Sequence, residues 1–404
     1  MTGLLALLSI YVREMFFALL SFFKIPLSST GSLMKIMFAA IAVLCFIVFA
    51  YLIIMRYSLS VREIIVLFAL ASFVIMFIFY PRVVFGSANE NYQGQMLAGC
   101  SSSVPAFLMG MLIMRSGKLN EMCKNLPFFI IFNTFVSTVI IFFNSSDATI
   151  LRDDSGFNYQ TLSYFVAFTF ALNIFYIKYW NTFENYAIFK KPIWNTLFQL
   201  LIPLHYLVLM LAGGRGAFVL IGILTVYYFA MDKSNFKKNL KNFILITIII
   251  LVVYIIISNY SFGFEGYERI FGFLEGKGDK LRESDWKKAI KYYSNHIVLG
   301  NGAGSDLYLF PVYSHNIFTE IAVEYGTIGL VVLVSLLGVF LKRILRQIKL
   351  DEKNHLVFLM FICGFTMNMF SGYYFTITIV WFALGYVFSS PIDNRSINVR
   401  IRIN

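Results

Sequence analysis

The chain has 404 residues, of which 59% are hydrophobic, 18% aromatic and only 13% charged. Soluble domains average about 45–50% apolar and about 25% charged residues, so this composition excludes an ordinary water-soluble enzyme and a disordered chain. The net charge of +12 does not imply a nucleic-acid partner, because in a membrane protein a basic excess sits in cytoplasmic loops and sets topology. Four cysteines, Cys45, Cys100, Cys123 and Cys363, fall in or beside apolar stretches at no metal-ligand spacing. Neither a disulfide framework nor a zinc site is expected.

A helix needs about 20 apolar residues to cross the hydrocarbon core, and runs of that kind predict an all-α integral membrane protein with about twelve transmembrane helices. The first six run from Leu4 to Phe22, Met34 to Met55, Ile64 to Tyr80, Met96 to Met114, Pro127 to Phe143 and Gln160 to Lys178. The second six run from Leu197 to Ala212, Ala217 to Met231, Phe243 to Asn259, Ile317 to Leu341, Leu356 to Ser371 and Tyr374 to Phe388. Arg13 and Glu14 interrupt the first, which lacks the basic start and small-residue cleavage site of a signal peptide and reads as a retained helix.

Alternate loops then divide the charge. One side holds Arg56 and Arg62; Arg115, Lys118 and Lys124; Lys178, Lys190 and Lys191; Lys233, Lys237, Lys238 and Lys241; Lys342, Arg343, Arg346, Lys349 and Lys353; and the tail Arg395, Arg400 and Arg402. The short loops of the other side hold only Lys24, Lys35, Arg82, Arg152 and Arg215. The positive-inside rule predicts both termini in the cytoplasm. No internal repeat or linker divides the chain, so residues 1–404 read as one polytopic membrane domain.

One outside loop, from Asn259 to His315, is far longer than the rest, with seven basic residues matched by seven acidic ones. A neutral loop of that length is expected to fold against the bundle rather than act as a tether. Trp286, Ala289, Ile290 and Tyr293 recur at helical spacing and predict a short amphipathic helix from Glu283 to Tyr293.

The candidate site residues cluster around this loop. Arg215 lies between two short spans within Gly213-Gly214-Arg215-Gly216. An arginine there either snorkels to the interface or faces a cavity, and glycines such as Gly214 clear space around a guanidinium that can hold a phosphate bidentately. His315 stands where the loop re-enters the membrane and can accept or donate a proton near neutral pH. Asn316, Glu320 and Glu324 follow at i, i+4 spacing on one helix face. Intramembrane carboxylates are functional suspects; these two either contact substrate, orient His315 or pair an arginine. Arg282 is a weaker candidate on the same loop. His205, His296 and His355 lack a legible partner, and no Walker loop, GxSxG elbow or HExxH motif is present.

The ordered set Arg282, Trp286, Ala289, Gly300-Asn301-Gly302-Ala303-Gly304, His315-Asn316, Glu320, Glu324, Gly326 and Gly329 resembles the signature of the O-antigen ligase and polymerase superfamily. The stretch Gly213-Gly214-Arg215-Gly216-Ala217 is similar to that family's arginine motif, with Ala212 and Gly213 where Ser or Thr is common. The resemblance covers most of the chain and implies a GT-C-type glycosyltransferase of the bacterial inner membrane with a periplasmic active site, needing no metal and no cofactor. It implies an undecaprenyl-pyrophosphate-linked glycan as donor and acceptor, surrounding membrane lipid, and a chain-length regulator as a protein partner. In that setting Arg215 and Arg282 would hold the pyrophosphate and His315 would take a proton from the acceptor hydroxyl. An O-antigen polymerase is the expectation, on the Phe-, Tyr- and Ile-rich composition and the lack of a legible acceptor-docking feature. An O-antigen ligase is the alternative. A lipid-linked oligosaccharide flippase is disfavoured by the long loop, and a secondary transporter by the missing repeat.

Overall fold

The computed structural model describes residues 2–23, 27–55, 59–85, 90–144, 158–182, 185–231, 248, 280–310 and 313–389. Every regular element among these residues is helical. The first half contributes α1 (Thr2–Phe22), α2 (Leu27–Met55), α3 (Val61–Phe85), α4 (Glu90–Ala98), α5 (Val104–Ser116), α6 (Leu119–Asn144) and α7 (Tyr159–Tyr179). Then come α8 (Pro192–Ala212), α9 (Arg215–Met231), α10 (Lys280–Asn295), the single turn α11 (Asp306–Leu309), α12 (Ile317–Leu350), α13 (His355–Phe370) and α14 (Thr378–Phe388).

Six segments among the described residues are long and apolar enough to cross a membrane: Val61–Tyr80, Tyr92–Ser116, Leu119–Phe142, Tyr159–Tyr179, Pro192–Ala212 and Ile317–Leu350. Shorter apolar helices cover Thr2–Tyr11, Ala39–Ile54, Arg215–Ala230 and Thr378–Phe388. The chain is thus a multi-pass helical membrane protein. The count of twelve remains an expectation, because several of these helices are short and the predicted span from Phe243 to Asn259 lies outside the described residues apart from Ile248. Residues 260–279 of the long loop also lie outside them, whereas the amphipathic helix predicted in that loop is present as α10. Its outward face carries Trp286 and Ile290, and Ala289 alone of the four predicted apolar positions is fully buried.

The bundle is held by two kinds of contact. The first is close backbone approach. A Cβ on Gly110 of α5 would run into the Phe382 carbonyl of α14, and one on Gly385 of α14 into the Phe107 carbonyl of α5. Small residues at a helix interface permit this approach in lipid, where van der Waals packing replaces the hydrophobic drive. Just before α5 the chain makes one π-helical turn, Gly99–Ser103, with Gly99 set against the Phe375 ring. Helices α3 and α12 instead leave apolar side chains such as Phe68, Ile65, Val331 and Val334 facing outward, as lipid-facing helices do.

The second contact is ionic. Arg115 Nη1 at the end of α5 lies 2.5 Å from Glu63 Oε2 at the start of α3, and both side chains are buried. Ser60 donates to the same carboxylate from its amide at 2.9 Å and its hydroxyl at 2.7 Å. Ser389, just past α14, donates its hydroxyl to Glu63 Oε1, and Arg62 reaches the Phe388 carbonyl at 2.8 Å. Three helix ends therefore meet on one satisfied carboxylate. Removing one partner of a buried pair costs about 3–5 kcal/mol, while an apolar replacement of both is often neutral. Arg115→Ala should therefore lower the thermal unfolding temperature of the detergent-solubilised protein by several degrees, and the double substitution Glu63→Leu, Arg115→Met should recover most of that loss.

Candidate functional site

The site is organised by a break in α12. Asn316 caps this helix, its side chain accepting the Phe318 amide at 2.9 Å, and the helix runs regularly until Gly326 takes φ 62° and ψ −155°. That conformation is open to glycine but costly for other residues. It strips backbone groups of their helical partners, and buried backbone groups must be satisfied elsewhere. The preceding loop satisfies them. Asn301 and Gly302 donate their amides to the carbonyls of Val323 and Glu324 at 2.8 and 2.7 Å. In the other direction, Thr327 and Ile328 donate to the carbonyls of Ile297 and Val298 at 2.7 and 3.3 Å. Asn301 adds its side-chain amide to the Val323 carbonyl at 2.9 Å. A Cβ on Gly300 would strike the Glu324 carbonyl, and one on Gly326 the Val298 carbonyl, so this docking demands glycine on both sides.

Glu320 and Glu324, on the turns before the break, are completely buried. Glu320 Oε2 accepts the Tyr374 amide at 3.1 Å. Glu324 accepts the hydroxyls of Tyr373 and Tyr374 at 2.6 and 2.7 Å, one on each oxygen. Tyr325 shares a hydrogen bond with the Tyr374 hydroxyl at 3.0 Å. Three of the four carboxylate oxygens are thereby bonded from the side of the 369–377 connection, while Glu320 Oε1 is buried without a hydrogen-bond partner among the described residues.

Asp306, directly after the glycine turn, is also fully buried, and its Oδ2 accepts the Ser314 amide at 2.8 Å. Burial pushes its carboxyl up to about 7; the hydrogen bonds from Ser314 oppose the rise and the nearby Asp285 adds to it. Directly after Ser314 comes His315, which among the described residues is the one non-glycine with positive φ, 60°. Its ring lies against that of Tyr313, with centroids 4.3 Å apart.

Arg215 begins α9 after a left-handed Gly213 that ends α8. Gly214 donates its amide to Ser163 Oγ at 3.0 Å and packs so closely on Ser163 that a side chain would not fit. Gly216 lies against the Tyr164 hydroxyl and Phe370. Tyr164 donates to Ser371 Oγ at 3.4 Å, the Tyr313 hydroxyl donates to the Ser371 carbonyl, and Asn316 Nδ2 donates to the Met369 carbonyl at 3.3 Å. The segments carrying Arg215 and His315, one hundred positions apart in the chain, thus close on the same turn, 369–372. Arg282 falls in the first turn of α10, and its side chain lies outside the described residues. Helix α10 is fixed to the site by Ala289 against Phe310 and Val323 and by Tyr293 to Thr327 at 2.9 Å.

Sequence reasoning missed Asp306, Tyr373, Tyr374 and Ser371. In the sequence Asp306 reads only as one of the loop's balancing charges, Tyr374 only as the start of a span, and Tyr373 falls between two spans. The role of the tyrosines depends on contacts across 49 and 50 residues of sequence, and that of Asp306 on a loop that turns back on itself to bring the Ser314 amide to its carboxylate. Two other histidines have structural partners, His205 with Thr134 at 2.8 Å and His355 with Tyr227 at 2.5 Å.

A multi-pass helical membrane protein with an arginine and a histidine motif gathered at one end of its bundle is the class defined here. Residues 199–334 match the family model described as O-Antigen ligase. The matched stretch contains Arg215, Arg282, the glycine turn, His315 and both glutamates, and supports placing the chain in the O-antigen ligase and polymerase superfamily. No curated protein and no solved structure matches the chain.

Two outcomes follow from this geometry. Gly326→Ala should cost stability and activity together, because the strained φ and the clash with the Val298 carbonyl separate α12 from the glycine turn; faster amide exchange at residues 297–302 and 323–328 in the variant would register it. The raised pKa of Asp306 sets the sign of a pH effect. At Asp306 the folded state keeps a proton over about pH 4–7 that the unfolded chain has released, so the contribution of this residue to stability falls as pH rises through that window and levels off above it. For one proton the slope is at most about 1.4 kcal/mol per pH unit. Thermal unfolding curves of wild type and Asp306→Asn should converge toward pH 4 and separate toward pH 7, with wild type the less stable; parallel curves would refute the assignment.

Proposed function

We propose that this protein is a GT-C-type glycosyltransferase, an O-antigen polymerase that joins undecaprenyl-pyrophosphate-linked repeat units at the periplasmic face of the bacterial inner membrane. The observation that carries the reading is the closure of the Arg215 and His315 segments on one turn, within a stretch similar to the O-antigen ligase family. Undecaprenyl pyrophosphate is an anion on an apolar tail, and a guanidinium between two spans at the outer end of the bundle suits its headgroup. Arg215, aided by Arg282, stabilises the charge that develops as the glycosyl–phosphate bond breaks and the pyrophosphate departs with the electron pair.

In this reading the acceptor sugar hydroxyl attacks the anomeric carbon from the opposite face. His315 accepts its proton as the new C–O bond forms, and direct displacement gives inversion. Gly214 and Asn316 set the backbone around the two motifs. Glu320 and Glu324, assigned above as candidate substrate contacts, act from beneath by fixing the first turns of α12. A chain-length regulator is the expected protein partner. The ligase activity uses the same donor and the same residues and differs only in the acceptor, lipid A-core.

The test is the lipopolysaccharide ladder of a strain lacking this gene, complemented at matched expression. The deletion should leave lipid A-core bearing one repeat unit, wild type should restore the ladder, and Arg215→Ala and His315→Ala should each reduce polymer by about 100-fold or more, the scale of losing one charge-stabilising group. Arg215→Lys should rescue weakly, because a point charge cannot replace a bidentate fork. Bare core with accumulating lipid-linked polymer would identify a ligase instead, and an unchanged ladder would overturn both activities for this glycan.

A further inference from the structure

We propose that Asp306 is a positioning residue for His315, acting through the Ser314 amide to hold the left-handed turn that presents the imidazole. This rests on the reading of His315 as the proton acceptor. The need for such a device is visible in the backbone. His315 has φ 60°, a conformation that non-glycine residues keep only where their surroundings impose it. An extended alternative would carry the ring to a different place.

The imposing contacts come from both sides of the residue. On the N-terminal side the buried Asp306 accepts the Ser314 N–H at 2.8 Å. The Ser314 hydroxyl pairs with Thr319 Oγ1 at 2.9 Å, and Thr319 donates to the Asn316 carbonyl at 2.9 Å. On the C-terminal side Asn316 is locked as helix cap. Asp306 is itself set in place, because it follows the glycine turn that is docked into the break of α12. A continuous line of contacts therefore runs from Gly326 through the glycine turn and Asp306 to the histidine. The carboxylate touches no reacting atom in this scheme. Its effect is geometric, and displacing a catalytic group by about 1 Å can cost about 100-fold in rate.

The experiment uses the full-length protein in lipid nanodiscs, with lipid-linked repeat unit extracted from the deletion strain as substrate, and reads kcat, KM and hydrogen exchange of the peptide 313–319. Asp306→Ala should lower kcat by about 10–100-fold with KM within about threefold of wild type, and should speed exchange at the Ser314 amide at least about tenfold. Asp306→Asn keeps an acceptor oxygen in place and should stay within about threefold of wild type in kcat and exchange. Asp306→Glu keeps the charge but shifts the oxygens by one methylene and should resemble the alanine variant. Should Asp306→Ala fail to fold, the Asn and Glu variants alone decide.

Wild-type kcat in Asp306→Ala, equal loss in Asp306→Asn and Asp306→Ala, or full activity of Asp306→Glu with loss in Asp306→Asn would each overturn the proposal, the last by assigning the effect to charge. If wild type itself forms no polymer, the polymerase reading fails, whereas unchanged Ser314 exchange in Asp306→Ala would sink the positioning role on its own.

Discussion

The reciprocal exchange of backbone hydrogen bonds between the glycine turn and the broken α12 is the constraint on which the site depends. A helix interrupted in a buried place leaves carbonyls and amides without partners, and such groups are tolerated only when something else supplies them. Here the loop supplies four bonds, two in each direction. The same bonds that heal the helix fix the loop in position and register. Asp306, Ser314 and His315 follow from that register, since they lie directly downstream and close the path back to the start of the same helix.

Beneath this arrangement, α13, α14 and their connection form the platform on which the motif segments settle. The turn 369–372 receives Tyr164 from α7, Tyr313 and Asn316 from the loop, and Phe370 receives Gly216 from α9. Tyr373 and Tyr374, just beyond, hold Glu324, and the Tyr374 amide holds Glu320. The bundle end at which Glu63 and Arg115 pair is fastened separately, where Ser389 closes on the same carboxylate. The second half of the chain is thus tied to the first through α5 and α14, whose backbones meet at Gly110 and Gly385.

Polar groups in this protein are grouped by use. The carboxylates of Glu63, Glu320, Glu324 and Asp306 are all fully buried, and each is engaged by hydrogen bonds from backbone amides, hydroxyls or a guanidinium. Arg215 is only partly buried. Its position on a glycine-lined junction suits, in the proposed reading, a ligand that carries phosphate and an apolar tail.

Much of this was legible in the sequence because it depends on local physics. Composition and run length define a helical membrane chain, the spacing of Trp286, Ala289 and Ile290 marks α10, and the ordered glycines, arginines and histidine carry the family resemblance. What only the tertiary structure decided is which distant segments meet: that Gly326 breaks the helix to receive residues 297–302, that turn 369–372 collects the Arg215 and His315 segments, and that Asp306 and Tyr373-Tyr374 hold the histidine turn and the carboxylates. The reason is physical. Hydropathy and periodicity report how each segment meets lipid or its own helix, while these contacts are backbone and side-chain hydrogen bonds between segments tens to hundreds of residues apart, for which one chain carries no local signal.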